Sequence, residues 1–233
     1  MHSMRATDFE FRSRFWLIAA LFFAAFGCYT FDHRSAAQLI ARLLGQDTRF
    51  GVQLVFGGGA VLAFLAAWIR TWASAYLHTS VVKDSVLHAD RLVADGPYRH
   101  LRNPLYFGTV LLGVSFGLLA SPTGFVVLVG GLTIFVLRLI AREEAELEAA
   151  QGAAYRRYVR AVPGLIPALE PRVEASGATQ EWGQAFFGEA AMWVFAVGCA
   201  LFSLTLNQWI LYAFVLAGFV GYFPVRRISR RLS

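Results

Sequence analysis

The sequence predicts an all-α, polytopic integral membrane protein with about six transmembrane helices and both termini in the cytoplasm. Three observations predict this fold class: 57% of the 233 residues are hydrophobic, only 15% are charged, and the mean hydropathy is +0.53. A soluble domain of this size needs more polar surface than this composition supplies. Long uncharged stretches, of the kind that cross a bilayer, are therefore expected to organise the chain.

The uncharged runs of the sequence predict the number and the positions of the membrane-spanning helices. The runs 103–137 and 190–225 are each about twice the ~20 residues that one spanning helix needs, so each must hold two helices. The divisions fall at a Ser-Pro pair at 121–122 and an Asn-Gln pair at 207–208, since turn residues and polar pairs interrupt apolar helices. The six predicted spans lie near 14–31, 51–78, 104–120, 122–141, 188–206 and 208–225.

Basic residues predict how these helices are oriented. In the six-helix topology, the amino terminus, the two loops 79–103 and 142–187 and the carboxy-terminal tail fall on one side of the membrane. They carry sixteen Arg and Lys residues, against three on the other side, Arg34, Arg42 and Arg49. The positive-inside rule makes the richer side cytoplasmic. Topology then accounts for the net charge of +6, and no nucleic-acid partner is expected.

Composition also divides the chain and indicates its source. A core at 1–169 is followed by a linker of small and polar residues at 170–183 and by a two-helix transmembrane appendage at 184–233, which could mediate homodimerisation. The strong preference for Arg over Lys indicates a genome rich in G and C, and hence a prokaryotic inner membrane. Cys28 and Cys199 show no metal-ligand spacing, so no metal is expected.

The stretch GPYRHLRNPLYFG, residues 96–108, is the first candidate site. Pro104 suits the first position of a helix and Asn103 is a favoured N-cap, so a helix is predicted to begin there. Its amide groups and positive dipole end would face the cytoplasm and could bind an anion. Four neighbours could add charge or aromatic faces for an adenine ring or a sulfonium: Arg99, Arg102, Tyr98 and Tyr106. The alternative is a cluster of Tyr and Arg that merely anchors the chain at the membrane interface.

The second candidate is the stretch 137–167. Arg138 lies at the edge of an apolar span, where an ionisable group is costly and indicates a function. At about 100° per residue, Arg138, Arg142 and Glu143 can share one helix face. They could form an ion-pair network that caps the helix, or a site that receives an ammonium group and a substrate anion. Because a tight helical hairpin joins the two stretches, Arg102 and Glu143 are expected to lie close together.

Together the two stretches resemble the isoprenylcysteine carboxyl methyltransferase family and, more broadly, the membrane methyltransferases that include phospholipid N-methyltransferases. The first family motif, G-P-Y-x-x-x-R-[HN]-P-x-Y-x-G, is matched by Gly96, Pro97, Tyr98, Arg102, Asn103, Pro104, Tyr106 and Gly108. The second, E-E-x-x-L-x-x-x-F-G-x-x-Y-x-x-Y followed by V-P, is matched by Glu143, Glu144, Leu147, Gly152, Tyr155, Tyr158, Val162 and Pro163. The departures are Asn103 and Asp90, where carboxyl methyltransferases carry histidine, and Gln151 in place of phenylalanine.

The resemblance implies S-adenosylmethionine as methyl donor, S-adenosylhomocysteine as product, and a lipid-like acceptor that enters sideways from the bilayer. Glu143 would hold the donor's amino group, and the helix start at Asn103 and Pro104 its carboxylate. Arg138, with Arg142 in reserve, would contact the acceptor, and these two arginines with Glu143 are the predicted catalytic residues. The predicted cofactor-binding residues, carried over by position, are Lys83, Asp90, Arg91, Leu92, Val93, Gly96, Tyr98, Arg102, Asn103, Pro104, Leu105, Tyr106 and Glu143.

Several alternatives stay open at this point. An NADPH-dependent membrane reductase of sterols or enones resembles the same helical frame, and a non-catalytic membrane scaffold could use the motif residues only to cap helices. The acceptor could be a prenylated cysteine carboxylate, a phospholipid amine or a small lipophilic acid. A carboxylate arrives ionised and needs an arginine to orient it, which Arg138 favours. An amine needs a base, for which Glu143 or Glu146 are candidates.

Overall fold

The computed structural model describes residues 5–82, 94–218 and 220, and within them it contains helices and turns but no strand. The predicted all-α class is thus confirmed for this part of the chain. The helices are α1 Asp8–Arg12, α2 Arg14–Gly27, α3 Ala36–Leu43, α4 Arg49–Val82, α5 Pro104–Leu119, α6 Pro122–Gln151, α7 Ala153–Ala161, α8 Trp182–Gly188, α9 Ala190–Thr205 and α10 Gln208–Gly218.

Helix length gives partial support to the predicted topology. Of the described residues, two segments are long and apolar enough to cross a membrane, Arg49–Leu77 and Pro122–Gln151. The pair α8 and α9, bent by 61° where they meet, would add a third as one broken span. The remaining apolar helices are shorter, and α5, for example, has 16 residues, about 24 Å at the rise of an α-helix. An integral membrane protein is supported, while six spans and the sides of the termini stay predictions.

The α5–α6 hairpin forms where the sequence indicates a break. The Ser121 hydroxyl accepts a hydrogen bond from the backbone N–H of Gly124 at 3.1 Å and so caps α6. Pro122 occupies the first position of the helix, where its missing N–H has no cost. This Ser-Pro pair therefore ends one helix and begins the next, as predicted.

The bundle is built around α4, which packs against α5 on one side and against α8 and α9 on another. Its buried alanines, among them Ala63, Ala66 and Ala67, leave room for close helix approach. At the end of the bundle away from the motifs, the Tyr29 hydroxyl donates to the Leu119 carbonyl at 2.5 Å. The two motifs lie together at the opposite end, which we call the motif end.

A strap at residues 168–181 runs across the motif end. The N–H of Ala168 donates to the carbonyl of His100 at 2.9 Å, and that of Arg172 to Arg99 at 2.8 Å. Farther along, the N–H of Glu181 donates to the carbonyl of Ala75 in α4 at 3.0 Å. The stretch predicted as a linker is thus held near its start and near its end by backbone hydrogen bonds. The predicted domain boundaries at 169 and 184 stay predictions.

Candidate active site

The first motif begins with a short 3-10 helix, Gly96–Arg99, that leads into α5. Gly96 has φ +53°, in the left-handed region that favours glycine, and a Cβ there would overlap the ring of Tyr76. Tyr98 is buried, and its backbone carbonyl accepts a hydrogen bond from the Tyr158 hydroxyl at 2.7 Å. Its ring packs beside Tyr76 and Leu105. In this structure Gly96 and Tyr98 therefore shape the turn and tie the second motif to the first.

Arg102 is fully engaged by the protein itself. Its Nε and Nη2 donate to the two carboxylate oxygens of Glu144 at 2.9 and 3.2 Å. Its Nη1 donates to the carbonyls of Val159 and Val162 at 2.9 and 2.7 Å. The expected approach of Arg102 to Glu143 is thus replaced by an ion pair with the adjacent Glu144. Because all three nitrogens are occupied, Arg102 fastens α5, α6 and the end of α7 together.

Asn103 is the N-cap residue of α5, as predicted, but its side chain makes a different set of hydrogen bonds from the expected cap. Its carbonyl accepts from the N–H of Phe107 at 3.0 Å, as a residue at a helix start does. Its side chain makes no capping hydrogen bond. Instead the amide nitrogen donates to Glu144 and to the carbonyl of Gly164, both at 3.0 Å. The predicted N-cap position is thus confirmed, but the capping hydrogen bond is absent: the side-chain NH₂ group is held by two other acceptors, and the side-chain oxygen accepts from no N–H of the first turn.

The first turn of α5 is consequently left without a side-chain cap. Pro104 has no N–H, and the N–H groups of Leu105 and Tyr106 meet no acceptor in the described ranges. Such groups carry the positive partial charge of a helix N-terminus. They can receive an anion.

Tyr106 and Glu143 join the two motifs directly. The Tyr106 hydroxyl donates to Oε1 of Glu143 at 2.7 Å, and Nη1 of Arg14 lies 3.5 Å from the same oxygen. The Glu143 side chain keeps 31% of its surface exposed, and its Oε2 has no hydrogen-bond partner within the part of the chain that the structure describes. One carboxylate oxygen is thus fixed while the other remains available to a ligand.

The two candidate acceptor arginines are paired with α1. Arg138 donates through Nη2 to Glu10 at 2.8 Å, and Nη2 of Arg142 lies 2.8 Å from Asp8. Glu10 also forms a capping box with Thr7 at the start of α1. The hydrogen bond from Arg138 lowers the pKa of Glu10 from 4.5 to about 2. An acceptor that binds either arginine must therefore share it with, or displace, a carboxylate of α1.

The remaining predicted cofactor contacts lie either at the start of α5 or outside the described residues. Pro104 is buried at the first position of α5, and Leu105 follows it with its carbonyl bound by Arg70. Five predicted cofactor contacts lie outside the described residues: Lys83, Asp90, Arg91, Leu92 and Val93.

Sequence reasoning missed a charged cluster between α4, α5 and the α8–α9 junction. Arg70 donates through Nε and Nη2 to the two oxygens of Glu189 at 2.7 and 3.1 Å, and Ser74 donates to Glu189 at 2.9 Å. Nη1 of Arg70 donates to the Leu105 carbonyl at 3.0 Å and to the Thr109 hydroxyl at 2.9 Å. An isolated Arg inside the apolar run of α4 was the available signal, because an intramembrane charge indicates a function.

Gly108, the last residue of the first motif, makes room for this arginine. A Cβ at Gly108 would lie 2.5 Å from Cγ of Arg70 and 3.1 Å from the carbonyl oxygen of Ala66. The backbone oxygen cannot move aside as a flexible side chain can. A hydrogen at this position is therefore required for Arg70 to lie against α5.

The middle of the chain is similar to a known protein family. Residues 53–153 match the family model described as phospholipid methyltransferase. This segment is therefore similar to the phospholipid methyltransferase family over somewhat less than half of the chain. The match confirms the resemblance drawn from the motifs, because the family segment contains the whole first motif together with Glu143 and Glu144. No curated protein and no solved structure matches the chain.

The family segment points to methyl transfer at a membrane as the class of activity. It covers most of α4, the motif turn, α5 and α6. Tyr155 and Tyr158 of the second motif lie beyond it, as do the strap and the helices α8, α9 and α10. Glu189, which binds Arg70 of the family segment, therefore comes from outside the match.

Proposed function

We propose that the protein is an S-adenosylmethionine-dependent methyltransferase that acts on a lipophilic acceptor at the cytoplasmic face of the bilayer. The observation that carries this proposal is the hydrogen bond between Tyr106 and Glu143 beside the uncapped start of α5. This hydrogen bond joins a residue of the uncapped turn on α5, which could bind an anion, to a carboxylate on α6, which could bind a cation. The family segment supports the choice of methyl transfer over hydride transfer or a scaffold role.

The residues present fit the amino-acid end of the methyl donor, which carries an ammonium and a carboxylate. Oε2 of Glu143 would accept from the ammonium, while Tyr106 and Arg14 hold the other carboxylate oxygen in place. The N–H groups of Leu105 and Tyr106 would bind the carboxylate with the dipole of α5 behind them. Bound S-adenosylmethionine supplies an electrophilic methyl group on a sulfonium.

The chain's own contribution is mainly positioning. Alignment of two reacting groups can lower a barrier by ~7–11 kcal/mol, and an in-line displacement needs such alignment of acceptor, methyl carbon and sulfur. Arg102 and Asn103 fix the α5 start against Glu144, so the donor-binding groups on α5 and α6 keep their spacing. The acceptor lone pair forms a bond to the methyl carbon as the carbon–sulfur bond breaks.

Two acceptor classes require different help from the protein. A carboxylate, as in a prenylcysteine-like acceptor, reacts without losing a proton. A phospholipid-like amine must pass a proton to a base, and Glu146 is occupied by Arg142 at 2.9 Å. Lipid analysis of cells with the active protein and with Glu143→Ala, scored for methyl esters and methylated amines, distinguishes the two classes.

The orientation in the membrane belongs to the same proposal. The motif end carries the basic α7 with Arg156, Arg157 and Arg160, together with Arg14 at the start of α2. The positive-inside rule then places this end in the cytoplasm, where the soluble donor is found. We expect a prokaryotic inner membrane as the location. A cysteine introduced at Arg157 should react with membrane-impermeant reagents only after the cells are opened.

Calorimetric titration of the detergent-purified chain with S-adenosylhomocysteine tests the proposal. The wild type should bind, and Glu143→Gln should weaken binding at least tenfold because the neutral amide attracts an ammonium less. Glu148→Gln is the matched control, since this exposed glutamate on the same helix pairs only with Arg156 at 3.5 Å in the described structure. Absence of binding by the wild type, or binding of NADPH in its place, would overturn the proposal.

A further inference from the structure

We infer that Glu189, in the C-terminal helices, is a positioning residue for the methyl-donor site and acts through Arg70. The inference rests on the proposed function and extends it to a residue outside the family segment. Glu189 does not touch the donor-binding groups itself. Its carboxylate fixes the guanidinium of Arg70, and this guanidinium in turn binds the first turn of α5.

The Arg70–Glu189 pair is well buried. The side chains keep 18% and 10% of their surface exposed, and the two hydrogen bonds between them are 2.7 and 3.1 Å long. Ser74 adds a third donor to the same carboxylate at 2.9 Å. A buried charge that loses its partner is strongly unfavourable, so each member of the pair fixes the position of the other.

The opposite edge of the guanidinium binds the first turn of α5. Nη1 of Arg70 donates to the Leu105 carbonyl and to the Thr109 hydroxyl, and Thr109 donates to the Leu105 carbonyl in turn at 3.0 Å. The N–H of Leu105 is one of the two groups proposed to bind the donor carboxylate. This N–H lies only two covalent bonds from the Leu105 carbonyl carbon. The position of Arg70 therefore sets the position of this anion-binding group.

Docking of the C-terminal helices does not depend on this ion pair alone. Nε1 of Trp193 donates to the Thr71 hydroxyl at 2.9 Å, and the rings of Trp182 and Trp68 are stacked at 5.9 Å. These contacts remain when Glu189 is made neutral. A Glu189→Gln chain should consequently keep α8 and α9 against α4 while releasing Arg70.

Charge and donor number explain why glutamine cannot replace glutamate here. A glutamine of the same size offers one oxygen and one NH₂ group, and the NH₂ group would face the donors of Arg70. At least one of the two short hydrogen bonds is then lost, and the guanidinium keeps an uncompensated charge. Arg70 is expected to shift away from Leu105 and Thr109, which loosens the first turn of α5.

The experiment compares Glu189→Gln with Trp193→Phe in the full-length chain. Trp193→Phe removes a docking hydrogen bond in the same helices without touching Arg70. We expect Glu189→Gln to raise the Kd for S-adenosylhomocysteine about tenfold and to speed amide hydrogen exchange in residues 107–109. Trp193→Phe should leave both within twofold of the wild type, even where it lowers the unfolding temperature, and Glu189→Asp should restore part of the affinity.

Thr109→Val provides a test independent of the C-terminal helices, should Glu189→Gln fail to fold. It removes one Arg70 contact on α5 and should raise the Kd several-fold. Equal losses in Glu189→Gln and Trp193→Phe, or no change in Kd and exchange in Glu189→Gln, would overturn the inference. If the wild type binds no S-adenosylhomocysteine, the proposed function fails, and the amide exchange of residues 107–109 in the two variants still decides whether Glu189 positions α5.

Discussion

Tyr106 donates its hydroxyl to Glu143 across 2.7 Å, and this hydrogen bond connects the two stretches that carry the sequence motifs. The same tyrosine contributes a backbone N–H to the uncapped first turn of α5. One residue therefore links the candidate anion-binding group on α5 to the candidate cation-binding carboxylate on α6.

Removal of the Tyr106 hydroxyl should weaken both ligand binding and stability. In Tyr106→Phe the ring remains, but Glu143 loses its shortest hydrogen bond and turns more freely. We expect the Kd for S-adenosylhomocysteine to rise several-fold, with a loss of about 1 kcal/mol in unfolding free energy, the usual value of one hydrogen bond. Tyr29→Phe, which removes a hydroxyl at the other end of the bundle, is the control for calorimetry and should leave affinity unchanged.

Substitution of Arg102 should affect the stability of the protein more than its affinity for the ligand. Arg102→Lys keeps the charge but cannot contact Glu144 with two nitrogens and reach the carbonyls of Val159 and Val162 as well. We expect the unfolding free energy in mixed detergent micelles to fall by about 2 kcal/mol, the usual value of two lost hydrogen bonds. Arg157→Lys, on the exposed face of α7, is the matched control. A large loss of ligand affinity in Arg102→Lys at unchanged stability would contradict this assignment.

The Glu10–Arg138 pair predicts a pH dependence of stability. Because the pKa of Glu10 falls from 4.5 to about 2 in the folded chain, its stabilisation is fully present above pH 4.5 and is lost as the pH falls toward 2. The difference in unfolding temperature between the wild type and Glu10→Gln should therefore be constant near neutral pH and shrink below pH 4.5. Asp47→Asn, at an exposed ion pair, serves as control. A difference that grows with acid would refute the pairing.

Asp95 should control how tightly the strap is held. Burial raises the pKa of Asp95, but hydrogen bonds from Ser176 and the N–H of Ala178 outweigh it, so the net pKa is lowered and the carboxylate stays charged. Asp95→Ala removes these acceptors, and we expect trypsin to cleave after Arg172 several times faster. Glu170→Ala, an exposed change in the same strap, should not alter the rate. Equal rates for both variants would show that Asp95 does not fasten the strap.

Local signals were sufficient for the hairpin and for the meeting of the motifs. The Ser121-Pro122 pair and Pro104 mark helix starts through rules that involve a few neighbouring residues, and both starts are where they were predicted. The wheel geometry of α6 indicated that Glu143 shares a region with Arg138, and both do contact the segment that contains α1 and the start of α2.

Hydrogen-bond and ion-pair partners that are distant in the sequence could not be predicted. The side chain of Asn103 has the right type for a cap, yet Glu144, 41 positions away, takes its amide group. The family resemblance assigns Arg138 and Arg142 to a substrate, whereas in the structure Asp8 and Glu10 of the amino-terminal segment pair with them. Arg70 was passed over because its partner Glu189 is 119 positions away.

The fit between Gly108 and Arg70 ties two distant positions to one another. A side chain at residue 108 displaces the arginine, and a smaller, uncharged residue at 70 leaves a void beneath α5 with Glu189 unneutralised. Mutational drift is thus constrained jointly at positions 70, 108 and 189, and among descendants of this chain these three positions should change together or stay as they are.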